Sequence, residues 1–184
     1  MRDKQRVTVG VALAVMLAVT LDAAAGEQRR VKLHIAGSTL DSVLDTNDDG
    51  ISARVQSGIA NGKPEQFLVQ RESEFKDTTT PCQMPDGAPG LVRILLQTRG
   101  VYTSTRDGSQ FFTQDEEGQG CLNPQTGEFS FGRPGSFAGG TGKYAGATGT
   151  WEIQNFESSV LVSDPQGHTF RQFTFDLVGT LILP

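Results

Sequence analysis

The sequence contains few of the residues that carry out most catalysis at neutral pH. It has two histidines and two cysteines among 184 residues, and the histidines, His34 and His168, lie far apart in the chain. No Gly-x-Ser-x-Gly, His-Glu-x-x-His or zinc-ligand spacing is present. These absences argue against a triad hydrolase or a zinc enzyme, and we expect the protein to be non-catalytic.

Basic clusters are also scarce. The 16 lysines and arginines are outnumbered by 21 acidic residues, which gives a net charge of −5, and the longest basic cluster is Arg29-Arg30-Val31-Lys32. Nucleic acids and anionic membranes are bound through clustered lysine and arginine. We therefore expect neither of them as a partner.

A long apolar run occurs only near the amino end, over residues 7–21, after a short basic segment. It falls short of the ~20 residues that span a bilayer, and Ala23-Ala24-Ala25 supplies a signal peptidase site. We predict that residues 1–25 are a cleaved signal peptide, with an uncleaved anchor helix as the alternative. Residues 26–184 then form a single domain that is secreted or periplasmic, with no membrane span after cleavage.

Cys82 and Cys121 are the only cysteines. In an exported protein they meet an oxidising compartment, so a disulfide between them is the natural pairing. The alternative is a reactive thiol, which needs a histidine partner and a reduced compartment.

Alternation of apolar and polar residues predicts β-strands. The pattern is clearest near the carboxyl end, where Phe173, Phe175 and Leu177 alternate with Thr174 and Asp176. Further strands are predicted over residues 31–35, 51–60, 66–75, 91–105, 109–114, 128–131, 150–154 and 158–163. No stretch shows helical spacing over three turns, so helix should be scarce.

Residues 76–90 contain three prolines and two glycines, and they are predicted to form a long loop held by Cys82. Antiparallel strands joined by short turns make an all-β domain, and periodicity alone leaves a β-sandwich and a closed barrel as alternatives.

Residues 136–151 are rich in glycine. A Walker loop would need glycine at 137 and serine or threonine at 144, but Phe137 and Tyr144 occupy these positions, and no amphipathic helix follows. A phosphate site is therefore rejected. The structural interpretation is a tightly bent hairpin whose bends depend on five glycines. They are Gly139, Gly140, Gly142, Gly146 and Gly149.

The segment Phe137-Ala-Gly-Gly-Thr-Gly-Lys-Tyr-Ala-Gly-Ala-Thr-Gly-Thr-Trp151 resembles a hairpin shared by allene oxide cyclases and dirigent proteins. With the export signal, the cysteine pair and an Asp-rich loop, the chain looks most like bacterial secreted members of that barrel group. The resemblance implies an eight-stranded antiparallel barrel rather than a sandwich. It covers about fifteen residues and transfers no catalytic residue to this chain.

The resemblance also implies a pocket inside the barrel for an apolar or phenolic molecule. We therefore expect a secreted barrel that binds a small hydrophobic ligand without catalysis. The alternatives are an isomerase of the allene oxide cyclase type and a dirigent-like guide of phenolic coupling. For the oligomeric state, a homo-oligomer is one alternative.

The acidic segment after residue 44 begins like a calcium loop. Asp45, Asn47 and Asp49 alternate before Gly50, and the carbonyl of Ile51 could complete the set. The twelfth position is not glutamate and flanking helices are not predicted, so this is no EF-hand. A weak extracellular Ca²⁺ site is the hypothesis, and a polar turn is its alternative.

Glu72 and Glu74 share one strand face and could do acid–base work if they pointed inward. We expect them on the solvated face instead, because burial of two carboxylates is costly.

Overall fold

The structure, a computed structural model, describes residues 26–42, 51–63, 65–115, 117–125, 129–130, 134–165 and 168–184. Strands dominate this part of the chain, in agreement with the alternating sequence pattern. They are β1 Glu27–Ser42, β2 Ile51–Asn61, β3 Gln66–Gln83, β4 Pro89–Ser104, β5 Gln110–Asp115, β6 Gly118–Leu122, β7 Phe129–Ser130, β8 Pro134–Gly140, β9 Thr148–Ser163 and β10 Thr169–Leu183.

These ten strands occupy eight positions in one antiparallel ring. Strands β5 and β6 share one position, because each pairs with a different part of β4. Strands β8 and β7 share the next position: β8 pairs with β5, and β7 pairs with β6. The remaining neighbours are β8–β9, β9–β10, β10–β1, β1–β2 and β2–β3, and the β3–β4 pairing closes the ring. The predicted eight-stranded antiparallel barrel is confirmed, and closure of the ring excludes the sandwich.

Period-two alternation decides which side chains enter the barrel. On β10, Phe173, Phe175 and Leu177 are buried, whereas Thr174 and Asp176 are half-buried on the outer wall. One apolar core results, and aromatic rings from six strands fill the centre of the barrel. They are Phe67, Tyr102, Phe111, Phe137, Trp151, Phe173 and Phe175.

The prediction of a long loop over residues 76–90 was wrong. β3 continues to Gln83 and β4 begins at Pro89, so only a short turn separates them. Among the described pairings, β2 ends against Lys76, and the rest of β3 pairs with β4 alone. Pro81 pairs with Leu91 in this extension, and an irregular register between Asp77 and Pro81 accommodates the three threonines.

The glycine-rich hairpin connects β8 to β9 through a single turn of 3-10 helix, Gly142–Tyr144. Gly149 shows why glycine is needed there: its φ is +122°, and a methyl group would lie 2.0 Å from the carbonyl oxygen of Thr180. Positive φ also occurs at Gly139, Gly142 and Gly146, while Gly140 lies against the Gln110 carbonyl.

That 3-10 turn is the one helical element in the described ranges, so helix is scarce as predicted. In the same part of the chain, no helix is long and apolar enough to cross a membrane.

Cys82 of β3 and Cys121 of β6 form the predicted disulfide, with 5.9 Å between their Cα atoms. The two strands flank β4, and the bond passes over Gly90 of that strand. A methyl group at Gly90 would lie 2.5 Å from the Cys121 sulfur and 3.3 Å from the Cys82 sulfur. Glycine at this position therefore lets the bond join strands on either side of β4.

Candidate functional site

A cavity of about 340 Å³ opens at the end of the barrel where β1 begins and β10 ends. We call it the mouth cavity. Its floor is apolar and consists of Leu33, Phe67, Phe111, Tyr144 and Leu181. Its rim is basic and carries Arg29, Arg30, Lys32, Lys63, Arg106 and Lys143. The volume falls within the range of about 300–1,000 Å³ that small-molecule sites occupy.

The glycine-rich hairpin builds one side of this cavity. Its 3-10 turn carries Lys143 and Tyr144, and the Thr141 amide donates to the Gln110 carbonyl at 2.7 Å. A methyl group at Gly142 would lie 2.4 Å from the Ser109 hydroxyl, so the turn packs closely on the β4–β5 connection. The motif singled out in the sequence therefore positions side chains at the cavity.

Glu65 is the acidic residue at the centre of the rim. Its carboxylate accepts hydrogen bonds from Lys143 Nζ at 2.6 Å, from Tyr144 Oη at 2.9 Å and from the Ser104 hydroxyl. Lys143 Nζ also donates to Asp107 Oδ2 at 2.9 Å. This network ties the β2–β3 turn to the glycine-rich hairpin across the cavity.

The network changes the protonation behaviour of its members. Burial alone would raise the pKa of Glu65, but hydrogen bonds from Lys143, Ser104 and Tyr144 outweigh it and hold that pKa below its ordinary value. Burial raises the pKa of Tyr144 well above its ordinary value, and the hydrogen bond to the Glu65 carboxylate adds to this increase. At neutral pH Glu65 is therefore an anion and Tyr144 a neutral donor.

Because the pKa of Glu65 is lowered, its contribution to stability is present above the ordinary carboxyl pKa and is lost as the pH falls through the lowered value. Replacing Lys143 by methionine removes the ammonium and leaves the effect of burial, so the loss should begin at higher pH. Thermal midpoints measured between pH 2 and 7 test this. Lys63→Met, on the same rim, is the control, and superimposable pH profiles for the two variants would contradict the assignment.

Aromatic rings form the floor beneath this network. Phe111 lies edge-on to Phe67 at 5.1 Å and to Tyr144 at 5.5 Å, and it stacks on Tyr102 at 4.5 Å between centroids. Side chains below them fill the barrel, so the mouth cavity ends at these rings rather than continuing through the domain.

A second polar region lies inside the barrel, beyond the aromatic layer. Arg71 of β3 and Asp115 of β5 face each other there, with 3.4 Å between Nη2 and Oδ2 and side chains 4% and 3% exposed. The Arg71 guanidinium also lies over the rings of Phe175 and Trp151, 5.3 and 5.6 Å from their centroids. Its buried Nε has no hydrogen-bond partner within the described part of the chain.

The space beside this pair is small. A chamber of about 40 Å³ is lined by Arg54, Gln56, Arg71, Leu95, Thr98, Asp115, Ile153 and Phe156. At about 10–15 Å³ for each enclosed water, it has room for about three or four waters and for no drug-sized molecule. Of these two spaces, the mouth cavity is the one that is large enough for a small-molecule ligand.

More arginines enter the barrel near the Arg71–Asp115 pair. The guanidinium groups of Arg54 and Arg93 lie 4.9 and 4.7 Å from the centroid of one ring, Phe75. Arg93 Nε is 2.7 Å from Asp77 Oδ1, and Arg171 is also buried. No sequence motif marks these arginines as inward-facing. Arg71 does share the inward face of β3 with Val69 and Phe75, so the period-two alternation of that strand places it inside the barrel.

Other candidate residues of the sequence analysis do not lie at either region. His34 and His168 are on the surface, where their Nδ1 atoms contact Asp176 at 2.9 Å and Asp164 at 2.6 Å. Glu72 is exposed, and Glu74 is half-buried and accepts from Gln97 at 2.6 Å.

For the calcium hypothesis, Ile51 begins β2, and Asp45, Asn47 and Asp49 lie outside the described residues. In the described ranges no three His, Cys, Asp or Glu side chains come together as a metal site.

The fold and these two regions define the protein as a closed antiparallel β-barrel with a ligand-sized cavity at one mouth and a buried arginine–aspartate pair. Its structure is similar to those of two pterocarpan synthase dirigent proteins. PsPTS1 has a TM-score of 0.43 and 10% identity over 84% of this chain and 96% of its own. GePTS1 has a TM-score of 0.40 and 10% identity over 95% of this chain and 100% of its own. No family model matches the sequence, and no curated protein matches it.

Proposed function

We propose that this protein is a secreted or periplasmic barrel that binds a small hydrophobic ligand without transforming it. The observation that carries the proposal is the mouth cavity, whose apolar floor is ringed by basic side chains. An aromatic or aliphatic body would rest on Phe67 and Phe111. A polar or anionic end would face Lys63 and Arg106.

The charge distribution around the cavity supports this orientation. Lys143 is already held by Glu65 and Asp107, and Arg29 is paired with Glu27. Lys63 and Arg106 form no ion pair within the described part of the chain, although both line the cavity. These two cations are therefore available to an acidic group on a bound molecule.

A catalytic barrel, either an isomerase of the allene oxide cyclase type or a dirigent-like guide of coupling, is the second candidate. One observation favours it, namely the inward-facing Asp115 beside Arg71 and the buried Tyr102, whose pKa is raised by burial. The adjoining chamber, however, has a volume of only about 40 Å³. A substrate in the mouth cavity would be separated from Asp115 by the aromatic floor, so binding is the better proposal.

Anilinonaphthalene sulfonate tests the proposal, because it combines a flat apolar body with one anionic group. We expect saturable binding that Val31→Phe weakens at least tenfold, since Val31 lines the cavity and a larger side chain fills it. Val178→Phe is the matched control: Val178 is half-buried on the outer wall and does not line the cavity. Removing both free rim cations, with Lys63→Ser and Arg106→Ser together, should weaken binding severalfold.

Equal binding by the Val31→Phe and Val178→Phe variants would contradict a ligand site at the mouth. Native mass spectrometry of the protein purified from its own source gives an independent result. A bound mass that is lost in the Val31→Phe variant would support the proposal and supply the ligand for chemical identification.

A further inference from the structure

The exposed positive charge of this chain is concentrated at the mouth of the barrel. Among the described residues, eight lysines and arginines are exposed, and six of them line the mouth cavity. We call these six the basic ring; it consists of Arg29, Arg30, Lys32, Lys63, Arg106 and Lys143. The other two are Lys76 on β3 and Arg99 on β4. A chain with a net charge of −5 thus presents most of these exposed cations at one end.

The topology of the barrel places these charges on every side of the opening. At this end the chain makes the connections β2–β3, β4–β5 and β8–β9, and β1 begins beside the last residues of β10. Lys63 lies in the first connection, Arg106 in the second and Lys143 in the third. Arg29 and Arg30 lie at the start of β1. Charges that surround an opening suit a flat partner better than a polymer that lies along one side.

The acidic side chains at the mouth are held by two members of the basic ring. Glu27 pairs with Arg29, and both Glu65 and Asp107 pair with Lys143. The other four members form no ion pair within the described part of the chain. These four cations are therefore available to a negatively charged partner.

The opposite end of the barrel carries the other sign of charge. The described residues of the β3–β4 and β9–β10 turns include Asp86 and Asp164 and no lysine or arginine. The molecule therefore has a positive end and a negative end. Near an anionic surface, this distribution of charge turns the mouth towards the surface.

We propose that the basic ring docks the mouth of the barrel on an anionic phospholipid bilayer. Such a bilayer presents its negative charges in one plane, where a ring of cations can contact them from all sides of the opening at once. The sequence predicts no anionic membrane as a partner, because its basic residues are dispersed along the chain. Closure of the barrel brings six of them together.

Docking in this orientation turns the apolar floor of the mouth cavity towards the bilayer. A hydrophobic molecule can then pass between the bilayer and the cavity without crossing bulk water, where apolar surface is poorly accommodated. That route rests on the proposed function, whereas the docking itself needs no ligand.

Co-sedimentation with lipid vesicles tests the docking without any added ligand. At about 0.05 M salt, we expect wild-type protein to sediment with vesicles of equal parts phosphatidylglycerol and phosphatidylcholine, and to stay in solution with phosphatidylcholine vesicles. Raising the salt to about 0.5 M should release the protein, because the screening length falls to a few ångströms.

Two double variants with the same change of charge locate the contact. Arg30→Ser with Lys32→Ser removes two cations of the basic ring and should weaken binding to the phosphatidylglycerol vesicles at least tenfold, since each cation near an anionic bilayer contributes roughly fivefold in affinity. Lys76→Ser with Arg99→Ser is the matched control, because it removes the two exposed cations outside the ring. It should bind within about twofold of wild type. Circular dichroism establishes folding of each variant.

Wild-type protein that stays in solution with phosphatidylglycerol vesicles at low salt overturns the proposal, and this result needs no variant to fold. Equal losses in the two double variants also overturn it, because binding would then follow net charge rather than the mouth. Protein that binds soluble dextran sulfate but no vesicles would assign the basic ring to a polyanionic chain instead. Binding of anilinonaphthalene sulfonate is measured without vesicles, so the docking and the ligand site can each fail alone.

Discussion

Replacing Arg71 by methionine should lower the free energy of unfolding by about 3–5 kcal/mol, as the loss of one partner in a buried ion pair typically does. The Asp115 carboxylate stays 3% exposed after the guanidinium paired with it is gone. Methionine retains most of the volume, so the effect reports charge rather than a cavity. Urea unfolding followed by the fluorescence of Trp151, the single tryptophan, measures it.

Two further variants separate the ion pair from general damage. Asp115→Asn added to Arg71→Met also removes the buried carboxylate charge, so the double variant should be more stable than the Arg71→Met variant alone. Arg29→Met removes an arginine whose partner Glu27 is 63% exposed, and it should leave the unfolding midpoint unchanged. If Arg71→Met and Arg29→Met gave equal midpoints, the buried pair would not contribute to stability.

Removing the disulfide with Cys82→Ser and Cys121→Ser together should cost about 4 kcal/mol in the loop-entropy model. The bond closes a segment of the chain with a sequence separation of 39 residues, so the unfolded chain regains much conformational freedom when it is absent. Because domains are stable by only about 5–15 kcal/mol, the double variant should unfold at a much lower urea concentration.

The matched control for this result is wild-type protein unfolded in the presence of a reducing agent. It should reach the same midpoint as the double serine variant, since both have the same unfolded chain. A double variant as stable as oxidised wild type would show that the bond contributes nothing. If the double serine variant were less stable than reduced wild type, the additional loss of stability would come from packing of the serines against Gly90 and not from absence of the bond.

The sequence predicts the fold correctly for strands that have one buried face and one exposed face. On β10 the alternation of Phe173, Phe175 and Leu177 predicts both the strand and its inward side, and the structure confirms both. The loop prediction for residues 76–90 failed because proline disfavours a strand only where its nitrogen faces a partner. Among the described pairings, Pro81 pairs with β4 alone, and no local pattern in the sequence reveals which strands pair with a given residue.

The functional regions were predicted less completely, because they depend on register around the whole ring. Arg71 fits inside the barrel because it pairs with Gly100, whose missing side chain leaves room for the arginine stem. Glu65 meets Lys143 only when the ring has closed, since 78 residues separate them. The spacing of the glycines identified the glycine-rich hairpin, but it could not identify Glu65, whose carboxylate the hairpin contacts.

The disulfide over Gly90 has a consequence for survival of the chain after proteolysis. The turn between β3 and β4 and the connections from β4 to β6 all lie between Cys82 and Cys121. A single cut anywhere in that interval leaves two fragments that remain one covalent molecule until the bond is reduced. A cut on one of these turns therefore leaves the strands on both sides of it in one covalently joined molecule.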